Sequence, residues 1–340
     1  MARPTTVRRG RKALLLAVAG IALVAGCSRD PPGDRPVPVV VAAGSPLHAG
    51  LIEVAVAQGL LRREGLDVRI EIVGTGPRAL EAMREGKADL ATCAETVAVL
   101  AHLRGQPVAV LASIASGTRM TALVARQADV GVPRDLAGKR VGVPQGTTAE
   151  FFLDSLLVRH GVDRSSVRVV DLKPAEAPDA LARGEVEAIA IWEPFAQRTA
   201  DRLGGSTRTF YAEDIYFETH DLVSRPGFAK ERPAVAEKVL RALVGAERLL
   251  REEPEVGRRA IREGVVRATP GVEPTSLDRM LGLVDYRVRL DTGLLLLMEE
   301  EARWAVRIGI VPPQPTPDFR QALDAGPLRA VKPDAVQIMQ

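Results

Sequence analysis

The 340-residue chain is poor in cysteine, histidine and aromatic side chains: two Cys, four His, two Trp, three Tyr and seven Phe. Two cysteines cannot make a disulfide framework. The histidines, His48, His102, His160 and His220, are scattered without the spacing of a metal site, so no metal or other cofactor is expected. There is no G-x-S-x-G elbow, no phosphate-binding P-loop and no metal-binding helix motif, and no enzymatic activity is expected. No basic stripe interleaved with aromatics occurs, which sets nucleic acid aside as a partner. The longest late apolar run, residues 294–298, is far short of the roughly 20 residues that cross a bilayer.

What is present begins with a leader. Arg8, Arg9, Arg11 and Lys12 precede residues 13–25, which carry no charge, and the run ends in Leu23-Val24-Ala25-Gly26-Cys27. Its length suits a signal-peptide core rather than a membrane span. Small residues before a cysteine predict a lipoprotein signal peptide over 1–26, cleaved so that Cys27 carries the lipid anchor. Two or more acyl chains then hold stably where one does not. A plain signal peptide with a coincidental cysteine is the alternative. The leader holds five basic residues and no acid, so its removal takes the formal charge from +3 to −2. The basic balance therefore belongs to targeting and says nothing about partners. With Cys27 lipidated, Cys93 has no intrachain partner.

Residues 27–36 are rich in proline, glycine and charge and read as a tether. Beyond them strand and helix patterns alternate. Residues 37–43 form a continuous apolar run, as for a strand buried on both faces. Residues 51–64 have helical spacing, and 67–73 alternate through Val68, Ile70 and Ile72. A helix over 79–85 and strands over 88–92, 108–114 and 121–125 follow. A second unit opens near Asp135, with strands over 140–143, 167–172 and 186–192. Helices over 148–160, 175–183 and 193–203 lie between and after them, and the remainder is largely helical. Such alternation predicts an α/β architecture with mostly parallel sheets.

Several segments together resemble one family. They are His48-Ala49-Gly50-Leu51, Ala57-Gln58-Gly59-Leu60, Glu64-Gly65-Leu66-Asp67-Val68 and Gly86-Lys87-Ala88-Asp89-Leu90. Asp135 to Val143, Gly146-Thr147-Thr148-Ala149, Gly184 to Ala188 and Trp192-Glu193-Pro194 continue the series. In order and spacing this is similar to the nitrate/sulfonate/taurine-type substrate-binding proteins of ABC transporters. That superfamily is shared with pyrimidine-precursor (thiamine-biosynthesis) binding proteins. The resemblance spans nearly all of 37–328. It implies a type II periplasmic-binding fold, in which two α/β lobes joined by two crossovers close on a ligand cleft. Lobe 1 would be 37–130 plus 218–330, lobe 2 131–217, and 331–340 a C-terminal tail. It implies an exported monomer at the cell envelope that hands a small polar ligand to an ABC permease.

Candidate ligand contacts follow from strand ends, where open α/β sheets bind. Gly146, Thr147 and Thr148 open a helix whose free N–H groups and dipole favour an anion or a carbonyl. Thr147 with Glu150 equally reads as a capping box. Ser45 and His48 follow the first strand, as contacts or as a solvent-facing loop with His48 capping a helix. Glu95 and Thr96 follow the third, with Glu95 as contact or as a first-turn acid on the helix dipole. Cys93 reads as a small buried hydrophobe. Thr118 and Arg119 follow the fourth, and Arg119 suits a two-oxygen acid group or is an exposed surface charge. Trp192 and Glu193 end a second-lobe strand, as a cover and an amine partner or as core and helix start. Glu218 lies near the second crossover. Glu95, Glu150, Glu193 and Glu218 set against Arg119 favour an amine-bearing ligand, such as an aminosulfonate or aminopyrimidine, over a simple anion. The absence of an aromatic just before Ser45 departs from the pyrimidine-type pattern. Two other functions fit the residues less well: an enzyme on the same fold using His48 and Glu95, and a ligand sensor for a membrane receptor.

Overall fold

The computed structural model describes Met1 and residues 35–211, 213–269, 272 and 274–339. The leader, the lipidation site at Cys27 and most of the tether lie outside the described residues. Strand β1 (Val37–Ala43) is followed by helices α1 (Gly50–Ala57) and α2 (Leu60–Arg63), then β2 (Leu66–Ile72) and α3 (Gly76–Arg84). Next come β3 (Leu90–Ala94), α4 (Glu95–Leu103), β4 (Ala109–Gly117), β5 (Thr121–Arg126), β6 (Arg140–Val143) and α5 (Thr148–Arg159). β7 (Arg168–Asp171), α6 (Ala177–Arg183), β8 (Ala188–Trp192), α7 (Phe195–Leu203) and β9 (Thr207–Phe210) continue the chain. The last part holds β10 (Glu218–Ser224), α8 (Phe228–Glu231), α9 (Pro233–Glu252), α10 (Pro254–Ala268), α11 (Pro274–Leu281), β11 (Leu290–Asp291) and α12 (Thr292–Arg307). It closes with α13 (Gly326–Val331) and β12 (Val336–Gln337).

The strands make two five-stranded sheets, ordered β2-β1-β3-β10-β4 and β7-β6-β8-β5-β9. Each is mixed rather than parallel. β10 runs antiparallel between β3 and β4, and β5 runs antiparallel between β8 and β9. This is the type II periplasmic-binding architecture, with two passages of chain between sheets. Among the described residues no helix is long and apolar enough to cross a membrane.

Two boundaries differ from the sequence expectation. Thr121–Arg126, expected in the first lobe, pairs with β8 and β9, so the chain leaves the first sheet at residues 118–120 and not near 130. β4 and β5 are both buried and apolar, and hydrophobic pattern alone does not tell which sheet a strand joins. The 331–340 segment, expected as a C-terminal tail beyond lobe 1, contributes β12, which pairs in parallel with β11.

The core explains the elements. β3 and β8 are short runs of small and branched apolar residues, and Leu90–Ala94 is buried at every position, as a central strand covered on both faces must be. α9 turns Val235, Ala236, Val239, Leu240, Leu243 and Ala246 inward at helical spacing. α5 and α12 meet across the two sheets. The Phe151 ring stands edge-on to Tyr216 at 5.1 Å and to Trp304 at 5.2 Å, and Trp304 Nε1 donates to Asp154 Oδ2 at 2.8 Å.

The turn from β1 into α1 is held from outside its own segment. Tyr286 Oη donates to the Leu47 carbonyl at 2.7 Å, and its ring lies over Gly50, where a Cβ would come within 2.6 Å of Tyr286 Cε1. Gly50→Ala is therefore expected to cost about 1–3 kcal/mol by overpacking, read as a lower urea midpoint. An unchanged midpoint would show that the Tyr286 ring is not fixed.

Candidate functional site

The carboxyl ends of both sheets face one small cavity of about 30 Å³, room for roughly two water molecules. The turn after β1 brings Gly44, Ser45 and His48 to it, and the cap and first turn of α3 bring Thr75, Gly76 and Pro77. Ala94 and Val97 come from the end of β3 and the first turn of α4. The second sheet supplies Thr147, Thr148 and Trp192, and β10 supplies Glu218 and His220.

Four helices begin around this space. Thr75 caps α3 by accepting from Arg78 N, and Thr147 caps α5 by accepting from Ala149 N at 3.3 Å. The Thr147 hydroxyl also donates to the Pro144 carbonyl at 2.6 Å. α1 and α4 start after Ala49 and Ala94, which have no side-chain oxygen to cap with. The positive dipole ends of α3, α4 and α5, whose caps or first turns line the space, favour negative charge there, set against the first-turn acids Glu95 and Glu150.

Six of the twelve ligand contacts expected from the sequence line this cavity together: Ser45, His48, Thr147, Thr148, Trp192 and Glu218. The other six are placed elsewhere. Gly146 donates its N–H to Glu150 Oε2 at 2.8 Å, and Glu150 is further engaged by Arg164. Glu95 turns into the interior, where it accepts from the Tyr216 hydroxyl and from Thr219 N at 2.8 Å. Thr96 donates to Glu301 on α12. Glu193 is buried and accepts from Gln197 N at 2.9 Å, at the first turn of α7. Arg119 is exposed, pairs with Glu213 at 3.0 Å and lies over the Tyr211 ring, beside half-buried Thr118. Of the four acids that favoured an amine, only Glu218 reaches the cavity.

Sequence reasoning passed over His220 and the Thr75-Gly76-Pro77 loop. The loop carried a signal in its Gly-Pro pair after a strand. His220 did not, because Glu218–Ser224 holds three ionisable residues in seven, unlike the apolar runs of the other central strands, and falls in the part expected to be largely helical. It is in fact buried throughout.

Burial without counter-charge sets the protonation of this interior. The rings of His48 and His220 stand 4.7 Å apart, tilted by 46°. Burial pushes His48 down to about 4, and burial plus the neighbouring His48 pushes His220 well below the usual imidazole range. Burial raises Asp221 to about 8 and Glu193 to about 7. Glu95, Glu218 and Glu301 are raised as well, by burial first. Asp221 accepts from Ser113 Oγ and Glu218 from Thr121 Oγ1, both at 2.7 Å. Ser45 Oγ, His48 Nε2 and both His220 nitrogens are buried without a protein partner. Among the described residues no group of three or more His, Cys, Asp or Glu is set to hold a metal. A larger groove of about 1120 Å³ lies between α5 and α12, lined in part by Phe151, Val158, Tyr216, Phe217 and Leu297. None of the residues singled out by sequence lines it.

Two sheets of this order, with a polar cavity between their strand ends, define a ligand-cleft protein of the periplasmic-binding fold. The chain belongs to the NMT1/THI5-like family, whose model matches residues 45–256. An aliphatic-sulfonates-binding protein of Escherichia coli (strain K12) is 27% identical over 183 residues, covering 53% of this chain and 56% of that protein. A binding protein of Brucella abortus (strain 2308) is 22% identical over 205 residues, covering 59% of this chain. The chain spans 63% of the length of that curated relative. The crystal structure of the periplasmic aliphatic sulphonate-binding protein of Escherichia coli has the same fold, with a TM-score of 0.70 at 20% identity over 84% of this chain and 97% of that one.

The buried carboxyls give stability a pH dependence of known sign. Above about pH 4 the unfolded chain has released these protons and the folded chain keeps them, so their contribution is lost as pH rises through the folded values. The two histidines act only below about pH 6.5, where the unfolded chain takes up protons that the folded chain refuses. Between pH 6.5 and 8.5 only the carboxyls operate, at about 1.4 kcal/mol per pH unit for each one still protonated. The melting temperature should fall across that window, and Asp221→Asn should flatten the fall. A flat or rising profile in the wild type would mean that these carboxyls are already ionised.

Proposed function

We propose that the chain is an extracytoplasmic solute-binding protein, held at the cell envelope by a lipid on Cys27, that closes its two sheets on a small oxyanion-bearing solute and delivers it to an ABC permease. The observation that carries this reading is the cavity itself. The N-termini of α3, α4 and α5 line it, and Ser45 Oγ, His48 Nε2 and the His220 nitrogens stand in it without partners. Buried polar atoms are nearly always satisfied, and unsatisfied ones at the junction of two sheets are suited to a ligand. The Escherichia coli relative named for aliphatic sulfonates supports the same class. Trp192 would cover the ligand from the second sheet. At about 30 Å³ the cavity is too small for a whole alkanesulfonate, so the sheets must part to admit one.

The chemistry of the wall also ranks the amine-bearing alternative below an oxyanion. Its one acid, Glu218, is pushed well above the usual carboxylate range by burial and already accepts from Thr121 Oγ1, so an amine would meet one engaged carboxyl among several helix N-termini. An enzyme would need a nucleophile or base in the cavity. His48 is there, but its proposed partner Glu95 is committed to Tyr216 and Thr219.

Thermal shift and calorimetry against methanesulfonate, taurine, nitrate and an aminopyrimidine test the reading. A bound oxyanion should raise the melting temperature by mass action. Ser45→Ala should weaken it about 10- to 100-fold, the loss of one hydrogen bond to a charged group. Tight binding of the aminopyrimidine with no response to any oxyanion would contradict it.

A further inference from the structure

We infer that the His48–His220 pair takes up a proton together with the ligand, so that the cleft selects oxyanions through an imidazolium that exists only in the complex. This rests on reading the site as an oxyanion cleft. The starting observation is a missing charge. Among the described residues that line the cavity there is no lysine and no arginine. Arg119, the one cation expected there from sequence, is exposed and paired with Glu213. An anion moved from water into this space meets helix dipoles worth a fraction of a charge each, and no full cation.

Histidine is the one lining side chain that can supply that charge. His48 and His220 are 2% and 5% exposed, and three of their ring nitrogens have no protein partner. His220 is flanked across the sheet by Ala94 on β3 and Ala115 on β4, neither of which offers it a polar atom. Burial disfavours charge on either ring, and at 4.7 Å a proton on one opposes a proton on the other. The pair therefore accepts one proton, not two. An oxyanion beside the rings reverses the burial penalty for that one proton, because the charged form then gains a partner.

The surrounding titratable groups are already committed. Glu218 on the same strand accepts from Thr121, and Asp221, next along it, accepts from Ser113. Cys93 is held as a thiol by burial. Glu95 at the start of α4 accepts from Tyr216 and Thr219, and Glu53 on α1 pairs with Arg267 at 2.8 Å. Glu150 on α5 holds Gly146 N and Arg164, and Glu193 after β8 holds Gln197 N. None of these can donate the missing positive charge. Two imidazoles could also hold a divalent cation, but the N-termini of α3, α4 and α5 oppose it.

Calorimetry on the full chain with methanesulfonate and with nitrate decides the matter, run at pH 6 in buffers of different ionisation enthalpy. The expected result is a binding heat that varies with buffer in the sense of proton uptake, by more than about half a proton per ligand. Affinity should fall as pH rises from 6 to 8, by up to about tenfold per unit for one linked proton. His220→Gln and His48→Gln should each weaken binding, and the double variant should abolish uptake. The buffer dependence of the wild type stands even if a variant does not fold. Binding without uptake, or uptake that survives in the double variant, overturns the inference and leaves the oxyanion reading intact. Zinc binding that depends on both histidines, with no anion bound, overturns the inference in favour of a metal site. No binding of either anion between pH 6 and 8 overturns both.

Discussion

The hydrogen bond from Thr121 Oγ1 to Glu218 Oε2 joins the first residues of β5 and β10, the two strands that start where the chain passes between sheets. The first passage, from Gly117 to Thr121, spans no more than about 14 Å even when extended. The end of β4 and the start of β5 are therefore held together, and with them the strand ends of the two sheets. The second passage returns β10 antiparallel into the first sheet, opposite both β3 and β4. From that position β10 places Glu218 and His220 in the cavity. The other lining residues follow β1, β2, β3 and β6 or end β3 and β8, at the same edge of the two sheets.

Inserting β10 between two apolar strands has a cost. Glu218, His220 and Asp221 enter the interior, and Glu95 and Glu301 are buried beside them. A buried ionised carboxylate without a cation is prohibitive, and a neutral one with a hydroxyl partner is tolerable. The partners present are of that second kind: Thr121, Ser113, Thr96, and Tyr216 with Thr219. The same economy leaves the two histidines neutral and bare. The interior around the cavity is thus polar, uncharged and short of cations, which is what makes it responsive to a charged ligand.

Much of the architecture is legible in the sequence because its strands are apolar runs and its helices amphipathic. β1, β3, β6 and β8 and the helix from Thr148 follow from periodicity alone. Strand ends then pointed to Ser45, His48, Thr147, Thr148 and Trp192. The failures share one cause, that local pattern carries no information on sheet partnership. β5 looks like any first-lobe strand, and Glu218–Ser224, in a stretch expected to be largely helical, is a central strand. Charge counting failed for a related reason. Glu95, Glu150 and Glu193 sit at helix starts after strands, as a ligand contact would, yet their side chains are used by nearby backbone and by Tyr216, Thr219 and Arg164.

Two cavities of opposite character lie where the sheets meet or beside them: the polar one between the strand ends, and the larger, mainly apolar groove between α5 and α12. Helix dipoles and bare hydrogen-bonding atoms belong to the first. A crystal structure of the chain with an alkanesulfonate distinguishes them most directly. The account predicts the sulfonate group between the sheets, with oxygens within hydrogen-bonding distance of Ser45 Oγ and of the His48 and His220 rings. A sulfonate seated in the α5–α12 groove, with the strand-end cavity unchanged, would contradict it.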